Sequence, residues 1–206
     1  MESPSNPARA QGLALFDTPV GVCAIAWGER GIVGVALPSG GEGVMRAQMR
    51  RRFPDARESE PPGHVTEATA RIRALLAGER DDLTSIELDF DGVSEFHRRV
   101  FAAARAIPPG ETLTYGELAK QLGDPGAARA VGQAMGANPF PIIVPCHRVL
   151  AASGKTGGFS APGGATTKMK MLTIERAQPG EAPTLFPNLP LAAPPRRSSS
   201  PPRRRR

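Results

Sequence analysis

Two side chains able to do nucleophilic and proton-transfer chemistry stand next to each other at Cys146-His147, between Pro145 and Arg148. The thiolate is the reactive form of cysteine, and a free thiol titrates near pH ~8.5, so at neutral pH a base must take its proton. His147 is the nearest candidate, acting directly or through a water. In a regular strand consecutive side chains point to opposite faces, and a turn after Pro145 relieves that constraint. A plainer reading makes Cys146 a small core hydrophobe and His147 a hydrogen-bonded interior residue; the pair alone does not separate the two. A third group bears on the choice. Glu175 lies four residues after Met171 and three after Leu172, on the apolar side of a helical segment. A carboxylate there needs a partner, and His147 would supply one and be oriented as a base toward Cys146.

The elements that must position these groups are readable around them. Ile142, Ile143 and Val144 are β-branched and suit a buried strand that stops at Pro145 and the thiol. Upstream, Thr114 with Glu117 three residues on is a capping box, so Tyr115 opens a helix. Gly123-Asp124-Pro125-Gly126 is a turn, and residues 127–137 form a second helix, giving helix-turn-helix proportions. Ala127, Val131 and Met135 supply its apolar face, with Ala128, Gly132 and Gly136 as a nearly smooth face beside it. Arg129 and Gln133 are its only long polar side chains, too few for an ordinary major-groove reader. The smooth face suits a narrow minor groove with Arg129 inserted, or close helix packing. Residues 157–164 are glycine-rich, where backbone can approach a ligand closely, without the lysine of a phosphate-binding loop.

Residues 13–37 read as three strands of an antiparallel meander, with Cys23 in the core of the second. Helices follow over residues 43–53, with basic residues Arg46, Arg50, Arg51 and Arg52 on a solvated face, and over 66–77. His64 falls in an exposed Pro-Pro-Gly loop, and residues 86–90 read as one more strand. From residue 91 the pattern turns helical, with Val93, Phe96, Val100, Ala104 and Ile107 on one stripe, Ser94 as its cap and His97 beside it. The expected organisation is a lead-in over 1–12, an α/β domain over 13–90, a largely helical domain over 91–178 that holds the helix-turn-helix and Cys146, and a disordered tail over 179–206.

Composition bounds the partners. The 206 residues carry a formal charge of +6, but the last 28 hold six arginines and one glutamate, so the rest is nearly neutral. Nucleic-acid binding by the body must then rest on local arrangement, with the Pro- and Arg-rich tail adding salt-sensitive affinity at most. Two distant cysteines, Cys23 and Cys146, speak against a disulfide framework or a metal site. With no membrane-spanning apolar run and no leader, a cytoplasmic protein in a reducing compartment is expected.

Tyr115-Gly116-Glu117-Leu118-Ala119, Arg129-Ala130-Val131-Gly132, Asn138-Pro139, Ile143-Val144-Pro145-Cys146-His147-Arg148-Val149, Gly158-Phe159-Ser160 and Leu172-x-x-Glu175 occur in that order. The series resembles the methylated-DNA-protein-cysteine methyltransferases, or O6-alkylguanine-DNA alkyltransferases, from about residue 93 to 177. The resemblance implies an α+β fold, with a small ribonuclease-H-like antiparallel-sheet domain followed by a helical, winged-helix-like helix-turn-helix domain. It implies a monomeric DNA-repair protein that flips O6-alkylguanine out of double-stranded DNA and moves the alkyl group irreversibly to Cys146; activity on alkylated thymine is left open. By the same resemblance His147 is the base, Glu175 orients it, Tyr115 protonates the leaving guanine and Asn138 braces the active-site turn. The backbone of Cys146, Val149 and Ser160 reads the base; Arg129 fills the gap in the stack, with Ala128 and Gly132 against the DNA. No metal or other cofactor is implied. Phe101 and Arg176 depart from the family's usual tryptophan and glycine. The alternative is a non-catalytic sensor of alkylated DNA, a reading that the presence of Cys146 opposes.

Overall fold

A computed structural model describes residues 9–152 and 163–177. Its first layer is a twisted sheet. β1 (Gly12–Phe16) pairs antiparallel with β2 (Cys23–Gly28), Gly12 opposite Trp27 and Phe16 opposite Cys23. β2 pairs antiparallel with β3 (Gly31–Ala36), with a bulge at Ala26/Trp27. This is the expected meander. A short β4 (Arg57–Glu58), parallel to β1, completes the order β3-β2-β1-β4; the sequence reading missed it. Every residue of β2 and β3 is buried, because both sheet faces are covered, and such strands read as continuous apolar runs rather than alternating ones.

On one face, Met45, Met49 and Phe53 from α1 (Glu42–Arg52) and its C-cap pack on Leu13, Ala24, Ala26, Val33 and Ala36. On the other, Ile25, Ile32 and Val35 join α2 (Gly63–Leu76) and the C-terminal helices in one contiguous core, which reaches Val131, Ile143 and Cys146. Two expectations are corrected here. The segment 86–90 forms no regular strand: only Leu88 bridges to Ile32, where Ile32 N–H donates to Glu87 O and Asp89 N–H to Ile32 O. His64 is exposed as expected, but on the first turn of α2 rather than in a loop.

The C-terminal helices begin where their local signals place them. α3 (Glu95–Arg105) is capped by Ser94, whose hydroxyl accepts from His97 N–H, and it buries Val100, Phe101 and Ala104. α4 (Tyr115–Gln121) has the complete capping box. Glu117 N–H donates to Thr114 Oγ1 at 3.2 Å, and Thr114 N–H donates to Glu117 Oε2 at 2.6 Å. Such a cap contributes ~1 kcal/mol. Asp124 caps a short 3-10 turn, Pro125–Ala127, leading into α5 (Ala128–Gly136). β5 (Leu113–Thr114) and β6 (Val149–Leu150) form a small parallel pair under this helix-turn-helix. α6 (Gly164–Ile174) closes the fold. Among the described residues no helix is long and apolar enough to cross a membrane. Ser160, the glycine-rich segment's centre and the Arg-rich tail lie outside the described residues.

Candidate active site

The stretch before the thiol is not the strand its β-branched residues suggested. Pro141 to Val144 form a turn, with Ile142 in the left-handed region at φ 77°. Its backbone is held from within: Val144 N–H donates to Phe140 O at 2.8 Å. Asn138 supplies the other bonds, donating from Nδ2 to Val144 O at 2.9 Å and accepting from Phe140 N–H at 2.9 Å. Strand propensity here reflects only that the turn is buried: Ile142, Ile143 and Val144 are almost wholly inaccessible. The expected turn after Pro145 is present, as a 3-10 turn over Cys146–Arg148 that leads directly into β6.

That turn lets Cys146, His147 and Arg148 all be buried. His147 Nε2 lies 2.9 Å from Glu175 Oε1, the contact expected from the sequence. His147 Nδ1 is buried with no hydrogen-bond partner among the described residues. Burial pushes the imidazole pKa down and outweighs the opposing pull of Glu175, so the ring is neutral. Burial pushes the Glu175 carboxyl up, but hydrogen bonds from His147 and Arg148 more than offset it and bring the pKa to about 2. An ionised Glu175 therefore accepts a hydrogen bond from Nε2–H and leaves the Nδ1 lone pair as the free base.

Two buried cations near the thiol went unread in the sequence. Arg148 donates to Glu175 from Nε and Nη2, at 2.9 and 2.7 Å, and from Nη1 to Ile107 O at 2.6 Å. Lys168 of α6 is fully buried and donates to Val149 O at 2.6 Å, 5.9 Å from the Tyr115 ring. Its pKa falls to about 8 because burial outweighs the attraction of Cys146. The only sequence signal for either was the polar residue's place in an apolar neighbourhood. The Cys146 thiol itself is pushed up by burial, against the lowering influence of Asn138 and Lys168. Tyr115, half-buried, is likewise raised by burial and by Cys146, so its hydroxyl stays protonated and can donate.

Val149 donates its N–H to Cys146 O, and its carbonyl accepts from Lys168. On α5, Arg129 is exposed, Ala128 and Gly132 are half-buried, and a Cβ at Gly132 would sit 4.0 Å from the Tyr115 ring. Of the two jobs weighed for the smooth face, close packing is seen where Gly132 lies against Tyr115, and Arg129 is exposed beside it. Cys23 is a fully buried core residue whose thiol burial pushes up to about 11.

The arrangement is a helix-turn-helix set over a buried cysteine, with a neutral imidazole and an ionised carboxylate beside it. Residues 95–177 match the family described as 6-O-methylguanine DNA methyltransferase, DNA binding domain. The chain is 49% identical over 128 residues to the methylated-DNA--protein-cysteine methyltransferase of Mycolicibacterium paratuberculosis, covering 62% of this chain and 75% of that one. It is 38% identical over 162 residues to the protein of that name from Methanosarcina acetivorans, covering 79% and 96%. The Mycobacterium tuberculosis O6-methylguanine methyltransferase structure superposes with a TM-score of 0.65 at 36% identity, over 80% of this chain and 92% of that one. The Pyrococcus kodakaraensis O6-methylguanine-DNA methyltransferase superposes with a TM-score of 0.62 at 30% identity, over 79% and 98%. The chain belongs to the methylated-DNA-protein-cysteine methyltransferase family.

Proposed function

We propose that this protein repairs DNA by moving the alkyl group of O6-alkylguanine onto Cys146, once per molecule. The observation that carries this reading is the relay behind the thiol: an ionised Glu175 fixes the tautomer of a neutral, buried His147. The target carbon lies inside the duplex stack, so the base must be turned out into the site. Arg129, exposed on α5, fills the space it leaves, while Ala128 and Gly132 allow the helix close to the groove. The Val149 carbonyl and the backbone of Cys146 and Ser160 hold the base edge.

His147 Nδ1 takes the thiol proton, through a water. The Cys146 sulfur forms a bond to the alkyl carbon as the carbon–O6 bond breaks, and the electron pair passes into the guanine ring. The protonated Tyr115 hydroxyl donates to the leaving guanine. The product is a thioether, whose carbon–sulfur bond is stable in water, so one protein repairs one lesion. No cofactor enters this scheme. The same reading divides the chain near residue 90 and makes the protein a cytoplasmic monomer acting on double-stranded DNA. In support, the M. tuberculosis relative solved in complex with DNA superposes with a TM-score of 0.64 at 34% identity, over 80% of this chain and 92% of that one.

The test is to mix the protein with duplex DNA carrying isotopically labelled O6-methylguanine and locate the label by peptide mass spectrometry. Label on the Cys146 peptide, saturating at one methyl per protein, is expected. DNA bound with all label left on guanine would give the protein to the sensor reading and withdraw the roles of His147 and Glu175.

A further inference from the structure

The turn that carries Asn138 is held from outside by a side chain 87 residues away in sequence. Arg52, the last residue of α1, donates from Nη2 to Pro139 O at 3.2 Å and from Nη1 to Val35 O at 3.3 Å. Val35 N–H of β3 donates to the same Pro139 oxygen at 2.9 Å. One carbonyl of the active-site turn is therefore gripped by both a strand and a guanidinium of the N-terminal region.

The surroundings are shaped for this contact. The guanidinium lies over the Phe53 ring at 4.9 Å. Gly34 in β3 leaves room for both: a Cβ there would come within 2.6 Å of Phe53 Cζ and 3.1 Å of Arg52 Nη2. No carboxylate among the described residues pairs with Arg52, and burial pulls its pKa down with nothing opposing. Arg52 is half-buried, and partly desolvating a cation without an anion costs free energy, so α1 carries a local penalty to make these two carbonyl contacts. Beyond Pro139 the chain enters the core. Phe140 is buried edge-on against Phe90 and Phe101 at centroid distances of 5.5 and 6.5 Å. Asn138, one residue before, holds Val144 O and draws the Cys146 thiol pKa down.

We infer that Arg52 is a positioning residue for alkyl transfer, fixing Pro139 so that the Asn138 amide stays aimed at the Val144–Cys146 turn. The N-terminal region thereby takes part in the reaction without touching the alkylated base. The inference rests on the reading of Cys146 as the alkyl acceptor.

The experiment uses the full chain with Arg52→Ala and Arg52→Lys, the second keeping a cation that can reach one carbonyl if the first does not fold. Three quantities are read: single-turnover transfer from duplex O6-methylguanine, duplex affinity, and the pH profile of Cys146 alkylation by iodoacetamide, scored on the Cys146 peptide. For Arg52→Ala, transfer is expected to slow roughly ten- to a hundredfold, as misplacement of a reacting group does, with duplex affinity within about twofold and the thiol midpoint moved up. Arg52→Lys should recover part of the rate, as should methylguanidinium added to Arg52→Ala. Unchanged rate and thiol profile, or a slower rate that only follows lost DNA affinity, would overturn the inference. If the wild-type protein transfers no alkyl group, the reading of function fails, and the iodoacetamide profile still decides whether Arg52 positions the thiol's surroundings.

Discussion

Arg148 grips Glu175 from behind with two hydrogen bonds, Nε to Oε2 at 2.9 Å and Nη2 to Oε1 at 2.7 Å, while Oε1 also faces His147. The carboxylate thus has its geometry fixed by a rigid two-pronged donor before it meets the imidazole. Both side chains are almost fully buried, so neither can be neutralised or removed without stranding the other.

Acid should therefore unfold this protein early. The folded Glu175 carboxyl titrates near 2 against 4.5 when unfolded, so its stabilisation, on the order of 3 kcal/mol, is present above the unfolded value and is lost as pH falls toward 2. His147 acts in the same direction: its folded pKa lies below 6.5, so the unfolded chain binds the extra proton as pH drops below 6.5. Melting temperature measured from pH 7 to pH 3 should fall steadily. A flat profile would contradict the ionised carboxylate and neutral ring.

Replacing the base tests its role separately from stability. His147→Gln should slow transfer about a hundredfold at pH 7, a usual effect of losing a general base, and the deficit should shrink at high pH, where the thiolate forms unaided. Single-turnover rates across pH check this. An equal deficit at every pH would mean that His147 serves the fold alone.

Lys168 is expected to matter through its charge beside the thiol. Lys168→Met should raise the midpoint of Cys146 alkylation by iodoacetamide and slow transfer below pH 8, where the wild-type lysine is charged. An unmoved midpoint would confine Lys168 to a structural role.

Arg129→Ala should weaken binding to lesion-bearing duplex about tenfold, or ~1.4 kcal/mol, with little change in transfer from the free alkylated base. Equal losses on duplex and free base would exclude a stack-filling role for this exposed side chain.

Arg176 sits at φ 55°, just past α6, where Arg176 N–H donates to Thr173 O and Ala177 N–H to Leu172 O. This left-handed helix end favours glycine. Arg176→Gly should stabilise the protein by about 1 kcal/mol, seen as a melting temperature higher by roughly 2–4 °C. A lower melting temperature would mean that the arginine side chain contributes more than its backbone strain costs.

What the sequence determined by itself were features closed by local bonds or by chemistry that few residues can perform. The Thr114–Glu117 box and the Ser94 cap join residues three apart, so their types and spacing nearly fix their geometry. The apolar stripes placed the helices, and the position of Glu175 on an apolar helix face pointed to its contact with His147. Tertiary structure decided the rest, because the deciding partners are distant in sequence. Ile142 to Val144 look like a strand, yet Asn138 ties Phe140 N–H to Val144 O and closes the stretch between them as a turn. Arg148 and Lys168 are types that usually stay in water; they are buried because Glu175 and Val149 O receive them across 27 and 19 residues. Arg52 reads as part of a solvated basic face, and only the folded chain brings the Pro139 carbonyl to it across 87 residues.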